Sequence, residues 1–222
     1  MTSNLLGDVN EQVGSAWRGI ISTAELVARE GVDLHKGMNF RKEPQLSVFL
    51  SLPSHSGEYH DLWDEGQLLY IYEGHDSTTV ESGRSVDQLL MYESGRLTDN
   101  GKFVKEANAY KDGIRKEPHQ IQVYEKLEAG AWYDKGIFNL VDSKHVQEGG
   151  RKVFKFHLRP ADAELSPKEW DRYRAERLLP VMAKAEAWQA AKGRCTKCRS
   201  QSDLHFIPSS RSALTLRCAL HL

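Results

Sequence analysis

Residues 151–158 read Arg-Lys-Val-Phe-Lys-Phe-His-Leu, with apolar and polar side chains alternating from Phe154 onward. A period of two marks a half-buried strand, not a helix, with Val153, Phe154, Phe156 and Leu158 largely inward. Gln120–Tyr124 (QIQVY) alternates in the same way. Leu46–Leu50 (LSVFL), Leu68–Tyr72 (LLYIY) and Trp132–Leu140 (WYDKGIFNL) have strand composition. Gly136, near the middle of the last run, predicts a bulge. Glu73-Gly74, Asn100-Gly101 and Glu148-Gly149-Gly150 are turn signals between the runs. Short strands divided by turns place the chain in the α+β class, as a sheet curled into a barrel or sandwich with a few helices.

Three helices are expected. Residues 10–30 carry Val13, Trp17, Ile20, Ile21 and Leu26 at near-helical spacing and stop at Gly31. Lys102–Tyr110 is a short helix presenting Phe103, Val104 and Ala107. Ser166-Pro167-Lys168-Glu169 is a helix-start signature, and that helix runs to about Lys192 with a break near Pro180.

The stretch Gly57–Asp76 (GEYHDLWDEGQLLYIYEGHD) surrounds one of these strands with Tyr, Asp and Glu. It reads either as a surface hairpin with acidic turns or as a pocket for one flat polar ring. In the second reading aromatic faces stack on the ring and carboxylates accept from its amino edge. No apolar run approaches the roughly 20 residues of a membrane span, and MTSNLLGDVNEQ has no leader-like pattern. A cytoplasmic protein with no membrane partner is expected. The net charge of −1 conceals an asymmetry: residues 151–222 hold 15 of the 30 Lys and Arg but 7 of the 31 Asp and Glu. A basic C-terminal third suits a polyanion, although a solvated helix face has the same composition.

All three cysteines lie in the last part of the chain, as Cys195-Thr-Lys-Cys198 and Cys218-Ala-Leu-His221. An odd count in a C-x-x-C cluster argues for metal over disulfides. Cys195, Cys198, Cys218 and His221 make a tetrahedral set suited to structural Zn²⁺. Metal binding would supply folding energy that so short a segment cannot draw from a core.

Between the knuckles, Asp203-Leu204-His205-Phe206-Ile207-Pro208 resembles the HNH (ββα-metal) nuclease family over residues 193–222. The resemblance implies His205 as the general base that activates water, and Mg²⁺ or Mn²⁺ as the catalytic ion. The pattern departs elsewhere. Leu204 stands at the metal-binding Asp or His, Ala213 or Leu214 at the Asn, and His221 is taken by zinc. A leucine holds no divalent cation, and this chemistry needs one at the leaving oxygen. The expectation is a retained scaffold with an impaired nuclease centre. Asp203 restores a carboxylate only if the strand register slips by one.

Five stretches in order resemble the SRA (YDG) domain across about residues 28–160. They are Gly57–Gly74, Asp87-Gln88-x-Leu90, Gln120–Tyr124, Tyr133-Asp134-Lys135-Gly136-Ile137-Phe138 with one residue inserted, and Arg151–Leu158. The resemblance implies an SRA/PUA-like curved β-barrel that flips a modified cytosine, 5-methylcytosine or a relative, out of double-stranded DNA. Tyr59 and Tyr72 fall on the stacking positions. Asp61, or Asp64 in another register, falls on the acid. Glu73 stands where the eukaryotic pattern has Thr. Arg84 lies in the loop that enters the gap left by the base. Lys152, Lys155, Arg172, Arg174 and Arg177 are candidate phosphate contacts.

The expected organisation is a reader domain over residues 1–160, a helical linker over 161–192 and an HNH-like zinc module over 193–222. This arrangement resembles that of modification-dependent restriction endonucleases. An active endonuclease using His205 is the alternative, with a homodimer plausible if both strands are cut. An RNA-binding PUA-like module with a zinc ribbon is a third reading.

Overall fold

The computed structural model describes residues 19–52, 59–64, 66–76, 86–161, 181–202, 204–208, 214–218 and 220. Val13, Trp17, Arg84, the Ser166–Glu169 helix start, Arg172, Arg174, Arg177, Asp203 and His221 lie outside the described residues.

β1 (Ile20–Ser22) leads directly into α1 (Thr23–Glu30). The expected helix therefore does not include Ile20 and Ile21, which pair with Tyr133 and Trp132. Two β-branched residues suit an edge pairing that also buries Ile21. Ser22 then starts the helix as a capping box with Glu25, and Gly31 ends it in the left-handed conformation, φ 58°.

β2 (Met38–Asn39), β3 (Leu46–Ser51), β4 (Leu62–Asp64), β5 (Leu69–Glu73), β6 (His119–Glu128), β7 (Ala131–Glu148) and β8 (Arg151–Pro160) complete the main sheet. Its order is β2-β3-β6-β7-β8-β5-β4, with β1 added on β7. β3 and β6 run parallel, and the other pairs are antiparallel. β7 runs well beyond the predicted Leu140, to the Gly149-Gly150 turn.

Among the described residues the ladder does not close into the expected barrel, because β2 and β4 remain as its two ends. With two and three residues, they are too short to carry a closing ladder. Side chains join the curled ends instead. Phe49 on β3 meets Tyr72 on β5 at 4.3 Å between ring centroids. The Tyr72 hydroxyl lies 3.1 Å from the Leu50 carbonyl, and the Tyr70 hydroxyl donates to Ser51 Oγ at 2.8 Å.

The predicted bulge is present. Val123 pairs with Gly136 and Tyr124 with Asp134, leaving Lys135 as the extra residue. Gly136 takes φ 88°, and its N–H donates to Asp134 Oδ1 at 2.8 Å. The bulge turns Lys135 inward.

α2 (Asp99–Lys111) inserts Phe103 and Ala107 into the concave face, among Met38, Phe49, Ile121 and Phe156. Full burial of a phenylalanine contributes about 1.5–3 kcal/mol. Asn100-Gly101, expected as a turn, is instead the first turn of this helix behind its Thr98 cap. A Cβ at Gly101 would stand 2.1 Å from the Leu90 carbonyl oxygen, so close approach and not a turn explains this glycine. On the other face, Leu26 of α1 packs with Val48, Leu50, Tyr124 and Trp132.

α3 (Val181–Ala191) and the hairpin β9 (Leu204–Pro208) and β10 (Leu214–Cys218) pack on the β6–β7 hairpin. Leu127, Ala131 and Tyr133 share one cluster with Ala191, Cys195, Leu204, Phe206, Leu216 and Cys218. Among the described residues no helix is long and apolar enough to cross a membrane.

Candidate functional site

Asp61 precedes β4 at the seam between β3 and β5. Its Oδ2 accepts from Ser51 Oγ at 2.6 Å, and its Oδ1 accepts from the Glu73 amide at 2.8 Å. The Tyr70 hydroxyl lies 3.4 Å from the same Oδ2. Burial raises the Asp61 carboxyl to about 6, against the lowering effect of Ser51 and the Glu73 N–H. Burial, with Asp61 next in effect, holds the Tyr70 and Tyr72 hydroxyls protonated, well above the ordinary phenol range.

Tyr72 is 1% exposed and belongs to the main core. Its hydroxyl reaches the Gly37 carbonyl at 3.1 Å and His75 Nε2 at 2.9 Å. The His75 ring lies parallel to Tyr72 at 6.0 Å and stacks on Tyr59 at 4.4 Å, 14° from parallel. Tyr59, Tyr72 and His75 thus form one aromatic group, beside the Asp61 carboxylate that Glu73 fixes.

Glu73 is 2% exposed and sits in an ion cluster. Its Oε2 accepts from the His60 amide at 2.9 Å and from Lys155 Nζ at 2.8 Å, and Arg151 Nη2 is 3.5 Å from Oε1. Lys155 also meets Glu148 at 2.7 Å, and Arg151 pairs with Asp76. Glu73 therefore pins the main chain between Tyr59 and Asp61. Lys155 is 8% exposed and held by two carboxylates, Glu73 and Glu148. Lys152 is exposed, while its backbone anchors Asp87 and Gln88. Asp64 stands apart from the group: its carboxylate accepts from the Gln67 amide and side chain at 3.0 and 2.9 Å, as a turn residue.

Sequence reasoning missed three contributors. Gln88, in the Asp-Gln stretch, bridges β5 and β8 by donating to the Gly74 carbonyl at 2.5 Å and accepting from the Phe154 amide at 2.8 Å. Asn100 clasps the His75 backbone, accepting from its N–H at 3.1 Å and donating to its carbonyl at 2.7 Å. His75 itself follows the Glu73-Gly74 turn signal. Beside it opens a cavity of about 120 Å³, lined by His35, Gly37, His75, Tyr92, Asp99 and Asn100 among others.

In the tail, the sulfurs of Cys195, Cys198 and Cys218 lie within 4.8 Å of one another. Those of Cys198 and Cys218 are 3.3 Å apart. Burial raises the Cys195 thiol, but the backbone N–H groups of Cys198, Cys218 and Lys197 outweigh it and bring the thiol down to about 6. Burial and the neighbouring thiols push the Cys218 thiol up to about 11; the convergence of three thiols is what could hold a soft tetrahedral ion. Leu204 is buried in the tail's core, and His205, 6% exposed, pairs across the hairpin with Arg217. Among the described residues His205 belongs to no cluster of three metal-ligating groups.

No family model matches this chain, and no curated protein matches it. Similar solved structures are SRA domains and modification-dependent restriction enzymes. One is the SUVH5 SRA domain in complex with fully methylated CG DNA, 20% identical, covering 70% of this chain and 96% of that one, with a TM-score of 0.46. A second is the DNA modification-dependent restriction endonuclease AspBHI, 20% identical over 76% of this chain and 82% of that one, TM-score 0.45. A third is the modification-dependent TagI restriction endonuclease, 16% identical over 94% of this chain and 76% of that one, TM-score 0.43.

Proposed function

We propose that this protein binds double-stranded DNA carrying 5-methylcytosine or a related modified cytosine, and takes that base out of the duplex onto the face of Tyr59. The observation that supports this most is the placement, two residues apart, of the Tyr59 ring that stacks on His75 and the buried Asp61 carboxyl. The two sit on a short segment that Glu73 pins in place. A phenol face stacks on any base. A carboxyl whose protonation changes near pH 6 can accept from the cytosine amino group when ionised, or donate to a ring nitrogen when protonated. Extrusion costs a few kcal/mol of lost stacking, which these contacts offset.

In this reading Lys152 and the arginines 172, 174 and 177 contact phosphates, and Arg84 enters the space the base leaves. Lys155 and Glu73 hold the site together and do not touch DNA. Asp64 shapes the β4–β5 turn. Cys195, Cys198 and Cys218, with His221 as fourth ligand, hold a structural Zn²⁺ that fixes the β9–β10 hairpin against the sheet. No nuclease step is assigned to His205. The test is titration of modified and plain duplexes of one sequence at matched salt. Tighter binding of the modified duplex is expected, and equal affinity would overturn the reading.

A further inference from the structure

We infer that the His75 imidazole is the resident occupant of the Tyr59 stacking face, and that an entering base displaces it into the adjoining cavity. This rests on the base-binding reading above and adds to it a residue that sets how tightly a base is held. The centroid separation of 4.4 Å leaves no room for a third ring between Tyr59 and His75. A base sandwiched between two rings needs about 7 Å, two contacts of about 3.5 Å each. A base that stacks on this face of Tyr59 therefore cannot do so until His75 has moved.

The surroundings allow the ring to move while its backbone stays. Asn100 holds both the N–H and the carbonyl of residue 75, so the motion is confined to side-chain torsions. Position 37 leaves space for the ring: a Cβ there would lie 1.7 Å from the imidazole Cε1. The cavity of about 120 Å³ has His75 in its wall and so offers a destination. The hydrogen bond between the Tyr72 hydroxyl and Nε2, 2.9 Å, stabilises the resident position. Leaving it sets a threshold. A base whose edge and substituent make too few contacts with the site does not repay the loss of the His75 stack and hydrogen bond. His75 thus weakens binding of any base that enters by the same amount, and sets how strong the site's own contacts must be before a base leaves the duplex.

The experiment measures the affinity of wild type, His75→Ala and His75→Ser for modified and plain duplexes at matched salt, with thermal melting to confirm that each variant is folded. Removing the resident stack is expected to tighten binding of the modified duplex about two- to tenfold, and to leave plain DNA, whose bases stay in the helix, unchanged. A wild type that prefers modified DNA, with variants that bind it no better or more weakly, would overturn the displacement and make His75 a stacking surface or a bystander. A wild type that binds both duplexes equally would overturn the base-binding reading itself, and this inference with it.

Discussion

Replacing Lys184 with methionine removes the charge that ties α3 to the sheet. Lys184 is 0% exposed, with Nζ 3.0 Å from Glu125 Oε2 and 4.1 Å above the Tyr133 ring. Methionine keeps most of the aliphatic stem, so apolar packing is little changed. A charge-assisted hydrogen bond worth about 1.5–3 kcal/mol is lost, along with a desolvated cation–π contact of up to about 2 kcal/mol. Relief from burying an ammonium offsets part of this. Lys135 still pairs with Glu125, so the carboxylate is not stranded. The expected cost is about 2–3 kcal/mol, a fall in Tm of about 4–12 °C for a chain of this size.

The pH dependence gives the sharper check. Burial raises the Glu125 carboxyl, but Lys135 and then Lys184 outweigh it and hold the pKa below the usual glutamate range. A depressed carboxyl contributes stability above its unfolded pKa and loses it as pH falls through the folded pKa. Wild type and Lys184→Met should therefore differ most at neutral pH and converge in acid. Urea unfolding from about pH 3 to 7 measures this. Equal stability at pH 7, or a gap that widens in acid, would refute the assignment of Lys184 as the anchor.

Asp61→Asn should abolish the preference for modified DNA in a duplex titration. Its stability relative to wild type should also depend on pH with a set sign. Asp61 is raised from 3.8 to about 6, so its protonated form contributes stability that is lost as pH rises through about 6. The variant should gain about 3 kcal/mol on wild type between about pH 4 and pH 7. Tyr59→Ala should weaken binding of the modified duplex by about 1–3 kcal/mol while leaving plain-duplex binding unchanged. Cys198→Ser should drop the metal content, measured by elemental analysis, from one ion per chain towards zero, and lower the melting temperature.

β3, β5, β6, β7 and β8 are legible in the sequence as runs of β-branched and aromatic residues between turn signals, whereas β2 and β4, two and three residues long, carry no such run. The bulge is legible because a glycine interrupts Tyr133–Phe138 where one residue must be accommodated. Ile20–Ser22 reads as helix because its apolar spacing fits α1, and only pairing with β7, more than 100 positions away, makes it a strand. Glu125 is hidden too, because its partners Lys135 and Lys184 come from a bulge and from a helix in the C-terminal region. Tyr59, Asp61, Tyr72 and Glu73 are recognisable from the sequence as a group. Their separate positions are not, because they depend on curl. Tyr72 lies in the core since β5 faces β3 across the concave side, and Glu73 binds Lys155 and Arg151 since β8 runs alongside β5. His75 gives no signal of its own, because Asn100 and Gly37 position it from distant parts of the chain.

Fluorescence of 2-aminopurine placed next to a modified cytosine reports directly whether that base leaves the stack. Saturating protein should brighten the modified duplex strongly, the plain duplex little, and the modified duplex hardly at all when Tyr59 is alanine. Saturation of the modified duplex with no change in emission would show that the base stays inside the helix, contrary to the account given.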